Sequence, residues 1–258
     1  MAEPGSTPAE RETTDNAFLG GRLELLQPKD GYRAGVDPVL LAASVTPKPR
    51  ARVLDLGCGV GTALYCLGVR VPNLSLTGVE LLAAHADLAQ RNAERNGLKA
   101  RIITADIAEL PPDLRQESFD VILANPPFFD RTSTSASPNA SREAGRGVHV
   151  PLDIWIDVAA KRLAPKGQLA MIARAEMVPE MLAAASGRLG SLILQPFVPR
   201  EGRAPHLVIL KATKSGRAAF KIAPQLVLHR GTAYAGGEDY TDAIAAVLRK
   251  GAALRLKC

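Results

Sequence analysis

Residues 51–61 decide the fold of this chain and read ARVLDLGCGVG. Their first six positions form a mainly apolar run of the kind that lies in a buried parallel strand. Glycines at 57, 59 and 61 then make a tight turn, and helical periodicity follows over residues 63–71. A strand, a glycine-rich turn and a helix in this order predict the opening of a parallel βαβ unit.

The same alternation of strand and helix continues along the chain. Six further strands are predicted at residues 74–80, 100–106, 119–127, 168–174, 192–197 and 206–212, with helices at 83–95, 151–163 and 176–186. Strands joined by single helices imply right-handed crossovers and a doubly wound, Rossmann-like, mostly parallel seven-stranded α/β sheet. Ligands bind beyond the carboxyl ends of the strands in such sheets, so those ends hold the candidate site residues.

The segments around this core are shorter. Polar residues 1–17 predict a disordered N-terminal arm that extends to about residue 20. A strand at 22–27 and a helix at 37–43 follow, with Asp37 as the N-cap and Pro38 at the first helical position. We expect one domain over residues 21–258, with its core at about 50–215 and a basic C-terminal appendage, including a strand at 225–229 and a helix at 241–249, at about 216–258.

The net charge of +6 is unevenly distributed. Residues 200–258 contain eleven Lys and Arg against four Asp and Glu, so all the excess positive charge lies in the C-terminal quarter. A basic flank suits a polyanion such as nucleic acid through phosphate contacts. On the charge alone, a solvated surface in a protein of high pI is the favoured interpretation, and the charge points to a nucleic acid only beside a catalytic site.

Several classes of protein are disfavoured by composition. The chain has no run of about 18 apolar residues and no signal-peptide pattern, which predicts a cytoplasmic protein without a membrane span. Its three cysteines form no C-x-x-C pair and its four histidines are scattered, so we expect neither a disulfide framework nor a metal site. The oligomeric state stays open.

The glycine-rich turn predicts the cofactor. In a dinucleotide fold the third glycine would stand at the position of Thr62, whereas Gly61 comes one residue early after Gly57 and Gly59. Asp55, just before the turn, would repel a pyrophosphate but attract the ammonium of a cationic amino acid. The turn therefore favours S-adenosylmethionine over a nicotinamide dinucleotide.

Two further carboxylates follow the next two strands. Glu80 ends the second strand and can accept hydrogen bonds from both hydroxyls of a ribose. Asp106 ends the third strand and can accept from the amino group of the cofactor's adenine. Asp106 by itself fits a helix cap equally well. Carboxylates at three consecutive strand ends predict one common binding site.

The fourth strand closes on Asn125-Pro126-Pro127-Phe128. An exocyclic amine on adenine is a poor nucleophile because its lone pair is delocalised into the ring. The Asn125 side-chain carbonyl and the Pro126 backbone carbonyl can accept from the NH₂ group and pull its nitrogen towards tetrahedral geometry. Consecutive prolines fix this corner before the substrate arrives. Phe128 offers a ring on which the base can stack, so the tetrad predicts an amine-methylating catalytic site.

These residues resemble class I methyltransferases that act on amino groups, with 55–61 similar to their first motif and 125–128 to their fourth. Within that class the chain most resembles the bacterial tRNA (adenine-N6) methyltransferases that act beside the anticodon of a valine tRNA. The similarity runs from about residue 25 onward and includes Gln27-Pro28, Gly31-Tyr32-Arg33-Ala34-Gly35-Val36-Asp37, Leu40-Leu41-Ala42 and Tyr240-Thr241. It implies N6-methylation of adenine 37 in a tRNA, with Arg33 and Asp37 closing the cofactor pocket.

One stretch departs from the family pattern. Residues 130–150 are long for a loop and rich in Ser, Thr and small residues, with three arginines among them. Because this stretch leaves the catalytic tetrad directly, we expect it to fold over the bound RNA. Its divergence leaves the precise RNA substrate open.

Other functions remain possible on the sequence alone. The same Asn-Pro-Pro chemistry methylates glutamine side chains in proteins. The enzymes of that kind typically have a tyrosine at the position of Phe128 and carry a separate N-terminal helical domain, which disfavours this function here. Adenine in ribosomal RNA or in DNA is a further acceptor. A nicotinamide-dependent dehydrogenase conflicts with the glycine spacing, and a catalytically silent binding module conflicts with the presence of Asn125 and Asp55.

Overall fold

The structure is a computed structural model, and it describes residues 13–30, 33–127, 150–234, 236 and 238–254. Its strands are β1 (Thr13–Phe18), β2 (Leu23–Pro28), β3 (Arg52–Leu56), β4 (Ser75–Glu80), β5 (Ala100–Thr104), β6 (Phe119–Ala124), β7 (Leu163–Arg174), β8 (Gly190–Val198), β9 (Leu207–Thr213), β10 (Lys221–Ile222) and β11 (Leu226–Val227). Its α-helices are α1 (Asp37–Ala43), α2 (Thr62–Arg70), α3 (Ala83–Arg95), α4 (Pro112–Gln116), α5 (Leu152–Arg162), α6 (Val178–Ala185) and α7 (Asp242–Lys250). Short 3-10 turns lie at Leu19–Gly21, Ile107–Glu109 and Ala175–Met177.

The central sheet has the order β10-β8-β9-β7-β6-β3-β4-β5, with β11 also paired to β8. All its pairs are parallel except those that β9 makes with β7 and β8. Seven strands carry the sheet, since β10 and β11 have two residues each. The doubly wound, seven-stranded α/β prediction is confirmed. The chain leaves β3 towards β4 and returns on its other side as β6, so the topological switch point lies at the carboxyl ends of β3 and β6.

Both faces of the sheet are covered. Successive residues of β3 and β6 alternate between two hydrophobic clusters, with Val53 and Val121 in one and Leu54 and Ile122 in the other. The first cluster includes residues of α1, α2 and α7, and the second includes residues of α5 and α6. Burial on both faces explains why these strands appear in the sequence as nearly continuous apolar runs.

The N-terminal arm differs from the prediction. Residues 13–18 were expected to be disordered, but they form β1, which pairs antiparallel with β2 as a separate two-stranded sheet. The reason is tertiary: Leu19 and Leu23 are buried in the first cluster, and Arg95 of α3 forms ion pairs with Asp15 and Glu24. Residues 1–12 lie outside the described ranges.

Two predicted element boundaries also change. The N-cap of α1 is Val36, and Asp37 is the first helical residue with no capping bond from the preceding side chain. Strand β7 begins at Leu163 rather than 168, because a bulge at its start shifts its register with β6 between Phe119 and Val121.

The helix boundaries near the site follow the sequence more closely. α3 spans the predicted residues and ends on Asn96-Gly97, with Gly97 at φ +63°. The amides of Gly97 and Leu98 donate to the carbonyls of Glu94 and Ala93, at 3.1 and 2.9 Å, which is the Schellman arrangement. Within the described ranges, no helix is long and apolar enough to span a bilayer.

Candidate active site

In the glycine-rich turn between β3 and α2, aromatic side chains pack against two of the glycines, whereas the third faces open space. All three glycines have positive φ, at +62° for Gly57, +55° for Gly59 and +89° for Gly61. A Cβ on Gly57 would lie 2.5 Å from the Trp155 ring, and one on Gly61 would collide with the Tyr65 ring. A Cβ on Gly59 would meet no atom within 4 Å. The turn is therefore packed from the protein side and faces open space at Gly59, as a ligand cradle requires.

Three buried side chains hold this turn in place. Trp155, 5% exposed, lies against Gly57 and donates from Nε1 to the Val150 carbonyl at 3.2 Å. Tyr65 donates its hydroxyl to the Ala89 carbonyl in α3 at 2.6 Å. Asn92 is fully buried and donates to the carbonyls of Val60, in the turn, and of Leu26, in β2, both at 3.0 Å.

Asp55 is almost completely buried, with 2% exposure. Desolvation raises its pKa to about 8; a hydrogen bond from the Leu64 backbone amide lowers it and the nearby Glu80 carboxylate raises it. Without a bound cation the group is therefore largely protonated at neutral pH. A cationic ligand beside it would favour the carboxylate form.

Glu80 links the turn to the end of β4. Its Oε2 accepts from the Gly59 amide and its Oε1 accepts from the Leu82 amide, both at 2.9 Å. Each carboxylate oxygen can accept a second bond, so the residue can hold the turn and still accept from a ribose diol.

Asp106 caps the short turn after β5. Its Oδ1 accepts from the Ala108 amide at 2.8 Å, so the capping role considered from the sequence is present. Its Oδ2 has no hydrogen bond within the described ranges and is available to a ligand. Asp106 lies beside Glu80, because the Ala105 amide donates to the Glu80 carbonyl at 2.9 Å.

The Asn-Pro-Pro corner follows β6 directly. Ala124 pairs with Leu56 of β3 on one side and with Met171 of β7 on the other. Asn125 is half-buried, Pro126 buried and Pro127 exposed. The corner and the glycine-rich turn thus leave two neighbouring strands at the same edge of the sheet. Phe128 and residues 129–149 lie outside the described ranges, so the stacking role of Phe128 and the fold of the loop stay predictions.

Arg33 and Asp37 are not joined to the carboxylates of this edge by any contact within the described ranges. Arg33 is exposed and donates from Nη2 to Asn16 of β1 at 3.0 Å. Asp37 is half-buried; desolvation raises its pKa, and the charges of His206 and Arg174 lower it. Their closing of the cofactor pocket therefore stays a prediction.

The order of the predicted residues along the edge fits S-adenosylmethionine. Asp106, Glu80, Asp55 and Asn125 lie at or just beyond the carboxyl ends of β5, β4, β3 and β6, which are successive neighbours in the sheet. Three strand spacings separate the first from the last, about 14 Å in all. The predicted acceptors for an adenine amine and a ribose, the predicted partner of an ammonium and the predicted amine-binding corner therefore lie in a row along this edge.

One more group supports a polar ligand here. Thr62, at the start of α2, is buried, and its Oγ1 has no hydrogen-bond partner within the described ranges. Buried hydroxyls are normally satisfied, so this one suits the amino-acid end of a ligand at the turn. The described ranges contain no group of three or more His, Cys, Asp and Glu suited to a metal ion.

Sequence reasoning missed the residues that support the turn. Trp155, Tyr65 and Asn92 are not among the residues predicted to bind a ligand. Each of them instead supports the turn that would bind it. Asn92 did carry a signal, because a polar residue on the apolar face of an amphipathic helix needs buried partners. The packing of Trp155 on Gly57 joins residues 98 positions apart and has no local signature.

Comparison with known proteins gives a consistent family. Residues 35–189 match the model of the methyltransferase small domain. A curated protein of Porphyromonas gingivalis, "tRNA1(Val) (adenine(37)-N6)-methyltransferase", is 30% identical over 230 residues, covering 84% of this chain and 89% of that protein. A protein of the same name from Haemophilus influenzae is 28% identical over 229 residues, covering 88% and 94%.

Solved structures share the fold. A predicted O-methyltransferase from Agrobacterium tumefaciens superposes with a TM-score of 0.69 at 24% identity, covering 84% of this chain and 98% of that one. The Thermus thermophilus 16S rRNA N2 G1207 methyltransferase, solved in complex with AdoMet and guanosine, gives a TM-score of 0.53 at 22% identity, covering 78% and 50%. At these identities the likeness concerns the architecture.

Proposed function

The chain belongs to the methyltransferase small domain family, and we propose that it transfers a methyl group from S-adenosylmethionine to N6 of adenine 37 in a tRNA. The observation that carries the proposal is the placing of the Asn-Pro-Pro corner beside the glycine-rich turn. Leu56 and Ala124, the last residues of β3 and β6, pair directly, so an amine at Asn125 and a methyl donor at Gly57 are neighbours. The curated relatives that span most of the chain carry this substrate in their names.

The cofactor side is built from backbone and carboxylates. S-adenosylmethionine supplies an electrophilic methyl group on a sulfonium. Gly59 leaves room for its amino-acid part, Asp55 balances its ammonium, and Glu80 and Asp106 accept from its ribose and adenine. Asp55 is buried, so water screens its carboxylate weakly. A cation that binds at the turn and displaces water from it therefore interacts strongly with this carboxylate.

The acceptor side activates a weak nucleophile. The side-chain carbonyl of Asn125 and the backbone carbonyl of Pro126 accept from the two N6 hydrogens and direct the nitrogen lone pair at the methyl group. A bond forms from N6 to the methyl carbon as the bond from that carbon to sulfur breaks, and the resulting N6 cation then loses one proton to solvent. The prolines fix the two carbonyls before binding, which favours the transition state over the ground state.

The base must reach this corner from a folded RNA. We propose that it leaves its stack and rests against Phe128, the residue after Pro127. Stacking of one base on an aromatic ring contributes about 1–3 kcal/mol, enough to offset part of the cost of unstacking. Replacing Phe128 with leucine should therefore raise the KM for tRNA by a larger factor than it raises the Kd for the cofactor.

A transfer assay tests the function. The protein is incubated with methyl-labelled S-adenosylmethionine and an unmodified valine tRNA transcript, and the labelled nucleoside is identified after digestion. N6-methyladenosine at position 37 is the expected product, and a transcript with guanosine at that position is the matched control. Label only in ribosomal RNA or in protein glutamine would refute the tRNA assignment while leaving the chemistry intact.

A further inference from the structure

One arginine at the carboxyl edge of the sheet has no role in the site described above. Arg174 is the last residue of β7 and is exposed. It makes no ion pair or hydrogen bond through its side chain within the described ranges. By contrast, the neighbouring arginines of the C-terminal quarter, Arg200 and Arg230, are ion-paired with Asp239 and Asp242.

The register of the sheet places Arg174 beside the catalytic corner. Ala124, the last residue of β6, pairs with Met171 in a parallel ladder, and β7 continues from there to Arg174 at the edge where the Asn-Pro-Pro corner leaves β6. Neighbouring strands are about 4.8 Å apart. Arg174 therefore follows Asn125 in the row of strand ends, on the side of the corner opposite to the cofactor residues.

The surroundings of Arg174 leave its charge available. His206, whose backbone carbonyl accepts from the Ala175 amide at 3.0 Å, lies next to it at the start of β9. Desolvation lowers the pKa of His206, so this imidazole is neutral at pH 7. Asp37 interacts with both groups but forms no ion pair within 4 Å with Arg174. Desolvation raises the pKa of Asp37, while the charges of His206 and Arg174 lower it.

We propose that Arg174 binds a backbone phosphate of the RNA next to the methylated nucleotide and thereby positions the flipped base in the Asn-Pro-Pro corner. A nucleotide whose base enters the corner from solvent must leave its phosphates at the rim, on the side away from the cofactor. The planar guanidinium matches a phosphate with two parallel hydrogen bonds. Arg174 touches no reacting atom in this arrangement, so it is a positioning residue. The inference rests on the proposed RNA substrate.

The test removes the charge at Arg174 and measures tRNA binding at several salt concentrations. For Arg174→Gln, we expect the Kd for tRNA to rise about tenfold, as for the loss of one charge-assisted bond. The slope of log K against log salt should become shallower by about one, the value for one lost phosphate contact. Arg174→Lys should restore the slope. Arg217→Gln is the matched control, since Arg217 is exposed and follows β9 at the opposite edge of the sheet.

The outcomes separate this inference from the proposed function. If the wild-type protein methylates adenine 37 while Arg174→Gln keeps the wild-type Kd and salt slope, the phosphate role is wrong and the function stands. A Lys variant whose slope stays as shallow as that of the Gln variant would equally overturn the phosphate role. If the wild-type protein methylates no tRNA, the proposed function fails whatever the variants do. The Kd for S-adenosylmethionine, unchanged in every variant, shows that the fold is kept.

Discussion

In the proposed mechanism Asn125 meets two demands, because it directly follows a buried strand and would also present its amide oxygen to the substrate. It follows Ala124, which is fully buried between β3 and β7, and the two prolines after it fix the direction of the chain. For Asn125→Ala we expect kcat to fall by about 10²–10³-fold, the typical loss when one preorganised hydrogen-bonding group is removed. The cofactor should still bind with a nearly unchanged Kd.

Single-turnover methylation and calorimetric titration with S-adenosylmethionine measure these two effects separately. Gln116→Ala is the control, because Gln116 is an exposed amide just before the start of β6, at the opposite end of that strand from Asn125. Near-normal turnover of Asn125→Ala would show that the amide does not polarise the amine.

Asp55 should make cofactor binding depend on pH. Its pKa is raised to about 8 in the free protein, and a bound ammonium favours the ionised form, so binding releases a proton below pH 8. The affinity for S-adenosylmethionine should therefore increase from pH 5.5 to 7.5, by up to tenfold per pH unit. The variant Asp55→Asn should bind more weakly with a flat profile. Calorimetry in two buffers of different ionisation enthalpy counts the released proton, and equal heats in both would contradict this coupling.

Trp155 should report on the cofactor site by its fluorescence. It is the single tryptophan of the chain, and its ring lies against Gly57. A ligand seated on the turn changes the polarity around the ring, so we expect S-adenosylmethionine to shift or quench the emission with saturation. Trp155→Phe should lose this signal and still bind the cofactor, as followed by calorimetry. An emission spectrum that is unchanged at saturation would place the ligand elsewhere.

At the scale of elements, α3 joins the N-terminal hairpin to the glycine-rich turn. Asn92 accepts from the Leu26 amide at 2.8 Å and donates to two carbonyls, so its loss removes the partner of one buried and two partly buried backbone groups. Asn92→Ala should therefore lower the free energy of unfolding by about 2–4 kcal/mol. Asn96→Ala, one turn later on the same helix and also bonded to β2, is more exposed and should cost about 1 kcal/mol or less.

Urea unfolding followed by circular dichroism measures both values. Because Asn92 also holds Val60, its variant should bind S-adenosylmethionine more weakly even where it is fully folded. Equal destabilisation by the two variants would contradict the link between the hairpin and the turn.

The elements that the sequence predicted well are those with a strong period and clear end signals. α3 matches residue for residue because the Asn96-Gly97 pair stops it, and β3 to β6 follow from mainly apolar runs that end near a glycine, a carboxylate residue or the Asn-Pro pair. Strand β1 was missed because its sequence, TTDNAF, alternates weakly and owes its order to pairing with β2 and to ion pairs with α3. Local composition does not encode such long-range contacts.

At the scale of the whole molecule, the basic C-terminal quarter is less of a binding surface than its composition indicates. Arg200, Arg230 and Arg249 are ion-paired with nearby acids, and Lys214 donates to the Ala160 carbonyl at the end of α5. The sequence counts these charges, but the fold uses several of them internally. The phosphate contact proposed at Arg174 lies outside the basic quarter.

The candidate site residues that lie at strand ends could be predicted from the sequence, and those elsewhere could not. Asp55, Glu80, Asp106 and Asn125 each terminate a recognisable strand, and the parallel topology alone brings them to one edge. Arg33 and Asp37 lie before the first strand of the core, where no such rule fixes their partners. The hydrogen bond of Arg33 with Asn16 and the influence of His206 and Arg174 on the pKa of Asp37 depend on how the hairpin and α1 pack.

The two ends of the described chain meet in one place, and this affects how the protein must be made. Arg22 donates to the Lys250 carbonyl at 3.0 Å, and the Leu254 amide donates to the Ala43 carbonyl at 2.8 Å. On the ribosome, α1 can pack against α2 and β7 first, but the part of its apolar surface that α7 covers stays exposed until α7 has emerged. The nascent protein therefore exposes an apolar surface until its synthesis is nearly complete. We expect it to bind chaperones that recognise exposed apolar surfaces.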